Sequence, residues 1–264
     1  MKASIVCSLI LLFLFCGCEK LIDVDLNSSD PKIVIEAVIA NMAEDYHVKV
    51  TRTVNFDESN EFPAVSGALV KLSDDAGNME VLRETSEGVY TITELQGIPG
   101  RTYTLEVTDD GKVYTAISKM PLPVEIDSIT IEKRSSDPFE ASARFQDPAG
   151  IENYYRLTQI FEMGRVSNIF IDDDRLQDGS TITMSMPVIS NRGFFRLEPG
   201  DSVTLVLQSI DKNVYEYFRM LEELRQEGTL RQSALAANPV TNISNGALGY
   251  FSANSRSVKT IVVR

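Results

Sequence analysis

From Lys32 onward the chain is dominated by one pattern, short segments in which β-branched and aromatic residues alternate with polar ones between turns rich in glycine and aspartate. Alternation with period two puts every second side chain on one face of an extended strand, so each segment must pair with others to bury that face. Ile33-Val34-Ile35-Glu36-Ala37-Val38-Ile39 and His47 to Val54 open the series. Ala68 to Ser73 and Met79 to Glu84 flank Asp74-Asp75-Ala76-Gly77-Asn78, residues that tolerate positive φ, and are expected to form a hairpin. Gly88 to Ile92, Thr102 to Val107 and Lys112 to Ile117 continue it, the last two joined by the tight turn Asp109-Asp110-Gly111. About seven short strands without a helical stretch among them predict a β-sandwich.

Two prolines in Met120-Pro121-Leu122-Pro123 remove ladder donors and interrupt the series, which sets a domain boundary. Strand patterns resume at Glu125 to Lys133, Ala141 to Phe145, Tyr154 to Phe161, Ile169 to Asp172, Thr181 to Met186 and Ser202 to Ser209. One segment then changes period. Asp211 is placed to cap a helix, Val214, Tyr217, Phe218, Leu221 and Leu224 fall on one face, and Gly228 follows as the stop. Leu248 to Phe251 and Thr260 to Val263 read as returning strands. The expected fold is therefore dominated by β structure: two β-sandwich domains, over 31–120 and 124–264, the second carrying one amphipathic helix at about 211–227 that packs onto its sheet.

The N-terminus is of another kind. Lys2, an apolar run from Ile5 to Phe15 and then Cys16-Gly17-Cys18-Glu19 have the order of an export signal, 1–17, ending at a lipid-attachment cysteine. A membrane-crossing helix needs about twenty apolar residues, so this run is too short to remain as an anchor. Acylation of Cys18, for instance by palmitate, would hold the chain at a membrane instead, more than one acyl chain being needed for stable residence. Phe15 stands where the strict lipobox prefers leucine, with Leu14 one place earlier. Residues 18–30 then form a polar tether, or a first edge strand through Leu21-Ile22-Asp23-Val24-Asp25-Leu26; its acidic residues suit a solvated spacer or a surface-export signal.

All three cysteines, Cys7, Cys16 and Cys18, lie in the leader or at the anchor, so the folded part has no disulfide, thiolate nucleophile or cysteine-bound zinc to use. His47 is the one histidine, and a hydrolytic triad or a multi-histidine metal site would rest on it alone. The net charge of −13, which becomes −14 when Lys2 leaves with the signal, repels nucleic acid and anionic headgroups and favours solubility.

The ordered set Cys18-Glu19-Lys20, Pro31 to Glu36, Val65 to Val70, Gly88 to Thr91, Gly100 to Leu105, Asn153-Tyr154-Tyr155-Arg156 and Asn238-Pro239 through Ala247-Leu248-Gly249-Tyr250-Phe251 resembles the domain-of-unknown-function (DUF) 4249 lipoproteins of Bacteroidota. The first half, through Gly67-Ala68-Leu69-Val70, Gly88-Val89-Tyr90, Gly100 and Tyr103-Thr104-Leu105, also resembles the Ig-like sandwich of carboxypeptidase regulatory and transthyretin-like modules. The resemblance implies an outer-membrane lipoprotein with a non-catalytic accessory or binding role beside a TonB-dependent transporter, and it brings no catalytic residues. Whether the chain faces outward or toward the periplasm stays open, as do two other functions, a cell-surface glycan- or peptide-binding module and a calcium-dependent hydrolase.

Asp172, Asp173, Asp174 and Asp178, ahead of Gly179, supply the hard oxygen donors that calcium prefers, without EF-hand spacing; the same residues also suit a solvated acidic loop. Asp147, in the turn Asp147-Pro148-Ala149-Gly150, is a further candidate for the same ion. Phe194 and Phe195, between Arg192 and Arg196, are candidate partner contacts, although alternation would send one of them into the core. Asp74-Asp75 and Asp109-Asp110 are paired carboxylates in turns, where backbone demands explain them.

Overall fold

A computed structural model describes residues 30–55, 61–133, 139–160, 169–190, 193–194, 197–230 and 238–263, with the backbone alone at 189–190, 193–194 and 226–230. The first half supplies β1 (Ile33–Ala40), β2 (Tyr46–Arg52), β3 (Leu69–Asp74), β4 (Met79–Val81), β5 (Arg83–Ser86), β6 (Val89–Ile92), β7 (Thr102–Asp109) and β8 (Lys112–Lys119). Beyond the prolines follow β9 (Ile126–Lys133), β10 (Phe139–Gln146), β11 (Tyr154–Ile160), β12 (Phe170–Asp173) and β13 (Thr181–Pro187). A short pair, β14 (Ile189–Ser190) and β15 (Gly193–Phe194), precedes β16 (Ser202–Ile210), the helix α1 (Lys212–Leu230) and β17 (Leu248–Val262).

These strands build one eight-stranded sheet in the order β12-β11-β16-β17-β1-β2-β6-β5, faced by a four-stranded sheet β4-β3-β7-β8 and a three-stranded sheet β13-β10-β9. The period-two pattern does what it predicts: along β7, Tyr103, Leu105 and Val107 point inward while Thr104 and Glu106 are only partly covered. One core gathers Ile35, Val48, Leu72, Tyr90, Leu105 and Phe251; a second gathers Ala143, Phe145, Tyr155, Leu157, Ile182 and Leu207. The fold is thus two β-sandwiches, as expected.

They are not two separate domains, however. The two cores change over at the prolines, Met120 belonging to the first and Val124 to the second. Yet Pro31–Arg264 is one compact unit, and the strand responsible is β17, 15 residues long. Its first half lies parallel to β1, with Ile35 opposite Gly249, and its second half is antiparallel to β16, with Leu207 opposite Ser257. Ile243, Ala247, Phe251 and Ala253 accordingly complete the first core, although 124–264 was expected to form the second domain alone.

Three further expectations are revised. Met79 to Glu84 is two strands: β4 pairs with β3, buried Leu82 turns the corner with its N–H on the Val70 carbonyl at 2.9 Å, and β5 joins β6 in the facing sheet. Leu248 to Phe251 and Thr260 to Val263 are the two ends of a single strand, joined through buried Ser252, Asn254, Ser255 and Ser257. The helix continues through Gly228 to Leu230, since one glycine near a helix end weakens the helix without terminating it.

The start of α1 is as predicted. Asp211 Oδ1 accepts the Val214 N–H at 3.0 Å, satisfying an amide that the helix cannot. Val214, Tyr215 and Phe218 pack with Tyr154 and Ile210 in a third cluster, flanked by Tyr217, Leu221 and Tyr250. Tyr154 and Tyr155 are neighbours on β11 in different clusters, so the helix lies on the outer face of the large sheet. Among the described residues no helix is long and apolar enough to cross a membrane.

Candidate functional site

Of the candidate calcium ligands, Asp172 and Asp173 end β12, while Asp147, Asp174 and Asp178 lie in two loops that cross between the sheets of the second sandwich, 147–153 from β10 to β11 and 174–180 from β12 to β13. Asp147 is buried; its N–H donates to the Ser180 carbonyl at 3.0 Å, its Oδ1 accepts the Tyr155 hydroxyl at 2.5 Å and its Oδ2 accepts the Gly179 N–H at 2.9 Å. Asp174, also buried, accepts the Asn153 N–H on Oδ2 at 2.7 Å and returns its own N–H to the Asn153 carbonyl at 3.2 Å. Asp178, at the surface, accepts the Gly150 N–H at 2.7 Å. The loops touch closely: Gly179 has φ +67°, and a Cβ there would stand 2.7 Å from that of Ala149.

One carboxylate oxygen from each of Asp147, Asp174 and Asp178 lies within 4.8 Å of the other two. Burial pushes the Asp174 carboxyl above the usual range, and the nearby charges of Asp147 and Asp178 push it further. Burial likewise raises the Tyr155 phenol, helped by its hydrogen bond to Asp147.

Asp172 and Asp173 are not part of this group. Alternation along β12 turns Asp173 toward the helix, where it accepts the Tyr215 hydroxyl at 2.7 Å and pairs with Arg175 at 2.8 Å. The Arg175 bond first, and the Tyr215 bond after it, hold Asp173 below the usual carboxylate range. Asp172 accepts the Asp173 N–H at 2.9 Å and is pushed up by burial and by its neighbour's charge. The four aspartates expected to act together thus divide two and two, with Asp147 joining Asp174 and Asp178.

A second feature lies on the outer face of the large sheet. Tyr250, Glu36, Lys49 and Val89 stand in one row across β17, β1, β2 and β6, each opposite the next. They floor a cleft of about 540 Å³ that His47 and Arg256 also line. Tyr217 and Phe218 of α1 pack against Tyr250, the first tilted and the second edge-on, with centroids 4.8 and 5.0 Å away. Arg256 joins the loop 41–45 to β17, its guanidinium pairing with Glu44 and lying 5.5 Å over the Tyr46 ring while its N–H donates to Asn41 Oδ1 at 2.7 Å. His47, one of the exposed residues of β2, is within a central strand rather than on an edge, with Nδ1 3.1 Å from Thr91 Oγ1. Period-two reading put His47 and Lys49 on one face but could not bring Tyr250 and Arg256 beside them.

The remaining candidates are placed as follows. Phe194 lies in β15 opposite Ile189, and its side chain, like Phe195 and Cys18, lies outside the described residues. Asp74 serves its turn, accepting the Ala76 and Asn78 N–H groups and pairing with Arg101 at 2.6 Å, while Asp109 pairs with Arg52 at 2.5 Å.

Comparison with known proteins gives one family. The family model described as domain of unknown function (DUF4249) matches residues 19–260. No curated protein matches the chain. Among solved structures, a segment of two fibronectin type-III domains from chicken tenascin is similar over 68% of this chain and 91% of that one, at 13% identity and a TM-score of 0.23.

Proposed function

Because the chain belongs to the DUF4249 family, whose function is not defined, we propose from its own residues that it is a lipid-anchored outer-membrane lipoprotein that binds a partner and catalyses no reaction. The observation that carries this reading is the export leader ending at Cys18, with the first strand beginning at Ile33. Such spacing tethers the sandwiches close to the bilayer. A folded part without cysteine and with a single histidine supports a binding role over nucleophilic or histidine-based catalysis. The partner on this reading is a TonB-dependent outer-membrane transporter, the company that the family resemblance implies.

Replacement of Cys18 by alanine is expected to abolish labelling by radioactive palmitate and release the chain from the membrane; continued labelling would refute the anchor. Protease treatment of intact cells reports which membrane face carries the chain. Mild crosslinking followed by membrane solubilisation should recover an outer-membrane barrel with the wild-type chain, and recovery of the chain alone would refute the transporter role.

A second reading, a glycan- or peptide-binding module, is favoured by the cleft on the sheet. Its lining combines Glu36 and Glu44 with Lys49 and Arg256 beside the tyrosines Tyr46 and Tyr250, a mixture suited to polar ligands rather than to the apolar ones that most enclosed pockets take. Thermal stabilisation by an oligosaccharide or peptide, lost in Tyr250→Ala, would support it.

A further inference from the structure

We propose that the loops 147–153 and 174–180 bind a calcium ion between Asp147, Asp174 and Asp178. Calcium takes oxygen ligands at about 2.3–2.6 Å, so opposite ligands stand about 5 Å apart. Three carboxylate oxygens mutually within 4.8 Å lie within the span of such a sphere. The donors are all oxygen, which suits a hard cation and not zinc or copper.

The charge balance favours a cation there. Asp147 and Asp174 are 2% and 3% exposed, and among the described residues no lysine or arginine pairs with either of them or with Asp178. The adjacent Arg175 is engaged by Asp173. Buried carboxylates without a counter-ion are strongly disfavoured.

A separate observation points to the same ligand. The side-chain oxygen of Asn153 is buried and accepts no hydrogen bond, on a residue only 8% exposed. Asn153 is the residue whose backbone bonds to Asp174 in both directions, at 2.7 and 3.2 Å. Covalent geometry therefore holds that unsatisfied oxygen within roughly 7 Å of Asp174 Oδ2. Amide oxygens are ordinary calcium ligands. On the proposal, one cation would satisfy both this acceptor lacking a donor and the carboxylates lacking a counter-ion. The bound ion would pin the two loops together and close that end of the second sandwich, whatever partner the protein binds.

The test is terbium luminescence on the full-length chain in mild detergent, stripped with EGTA. The chain has no tryptophan, so tyrosine must sensitise the ion, and the Tyr155 hydroxyl is 2.5 Å from Asp147 Oδ1. Saturable emission that calcium displaces is expected, with a melting temperature that rises in millimolar calcium chloride. Asp178→Asn removes one surface charge and leaves an acceptor for Gly150; it is expected to melt like the wild type in EGTA and to bind calcium at least about tenfold more weakly. Asp172→Asn should leave binding unchanged. Equal wild-type melting in EGTA and in calcium, absence of saturable emission, or an Asp178→Asn chain that binds as tightly as the wild type would each overturn the proposal.

Discussion

Gly249→Ala should destabilise the protein far more than replacement of a glycine in open space, because Gly249 lies in the half of β17 that is held against β1. Its φ is +94°, it lies opposite Ile35, and an added Cβ would stand 2.1 Å from the Ile35 carbonyl oxygen. Adopting that φ with a side chain costs about 1–2 kcal/mol. A carbon approaches a carbonyl oxygen to about 3.3 Å, so β1 and β17 must separate locally by more than about 1 Å. Losing two flanking ladder bonds adds about 1–1.5 kcal/mol each, for a total of about 3–5 kcal/mol. Gly100→Ala is the control, with φ +89° and nothing within 4 Å of the added carbon. It carries the backbone cost alone, about 1–2 kcal/mol. Urea unfolding followed by circular dichroism measures both. A Gly249→Ala cost within about 0.5 kcal/mol of the Gly100→Ala cost would refute the idea that β17 is held tightly against β1.

Two other changes test the local chemistry. Glu80 accepts the Thr93, Glu94 and Leu95 N–H groups at 2.7, 3.0 and 2.8 Å, and these bonds hold it below the usual carboxylate range although burial pushes it up. Because the folded value is the lower one, its stabilisation is present above the unfolded value of about 4.3 and is lost as pH falls through the folded value. Glu80→Gln should therefore flatten the acid limb of a stability–pH profile, and an unchanged limb would count against this role. Tyr155→Phe keeps the ring, packed 4.7 Å from Phe145, but removes the hydroxyl from Asp147. A loss of about 1–3 kcal/mol in urea unfolding is expected, and a neutral result would show that Asp147 does not depend on that donor.

Most strands were legible because each needs only its own alternation to reveal a buried face, as in β1 or β7. The middle of β17 was not, since Ser252-Ala253-Asn254-Ser255-Arg256-Ser257 has no apolar alternation and takes its partners from far away in sequence. Ala253 N–H donates to Ser118 Oγ at 2.9 Å, Ser255 Oγ donates to the Pro121 carbonyl, and Ser257 Oγ accepts the Ile126 N–H at 3.0 Å. Such residues are buried because those bonds exist, and only the fold supplies the bonds. The acidic loop was half legible for the same reason. Four nearby aspartates could be seen, but strand alternation separates Asp173 from Asp174, and the contribution of Asp147 depends on two loops meeting.

The parallel neighbour of β1 is the last of the described strands, more than two hundred residues after it in sequence. A chain made from its N-terminus must therefore hold β1 with one bare edge, a template for wrong pairing, until β17 arrives. Pairing across that separation also favours slow folding. A stop codon at Leu248 would leave every other strand of the first sandwich intact in sequence, yet β1 and β16 would both lose the strand between them.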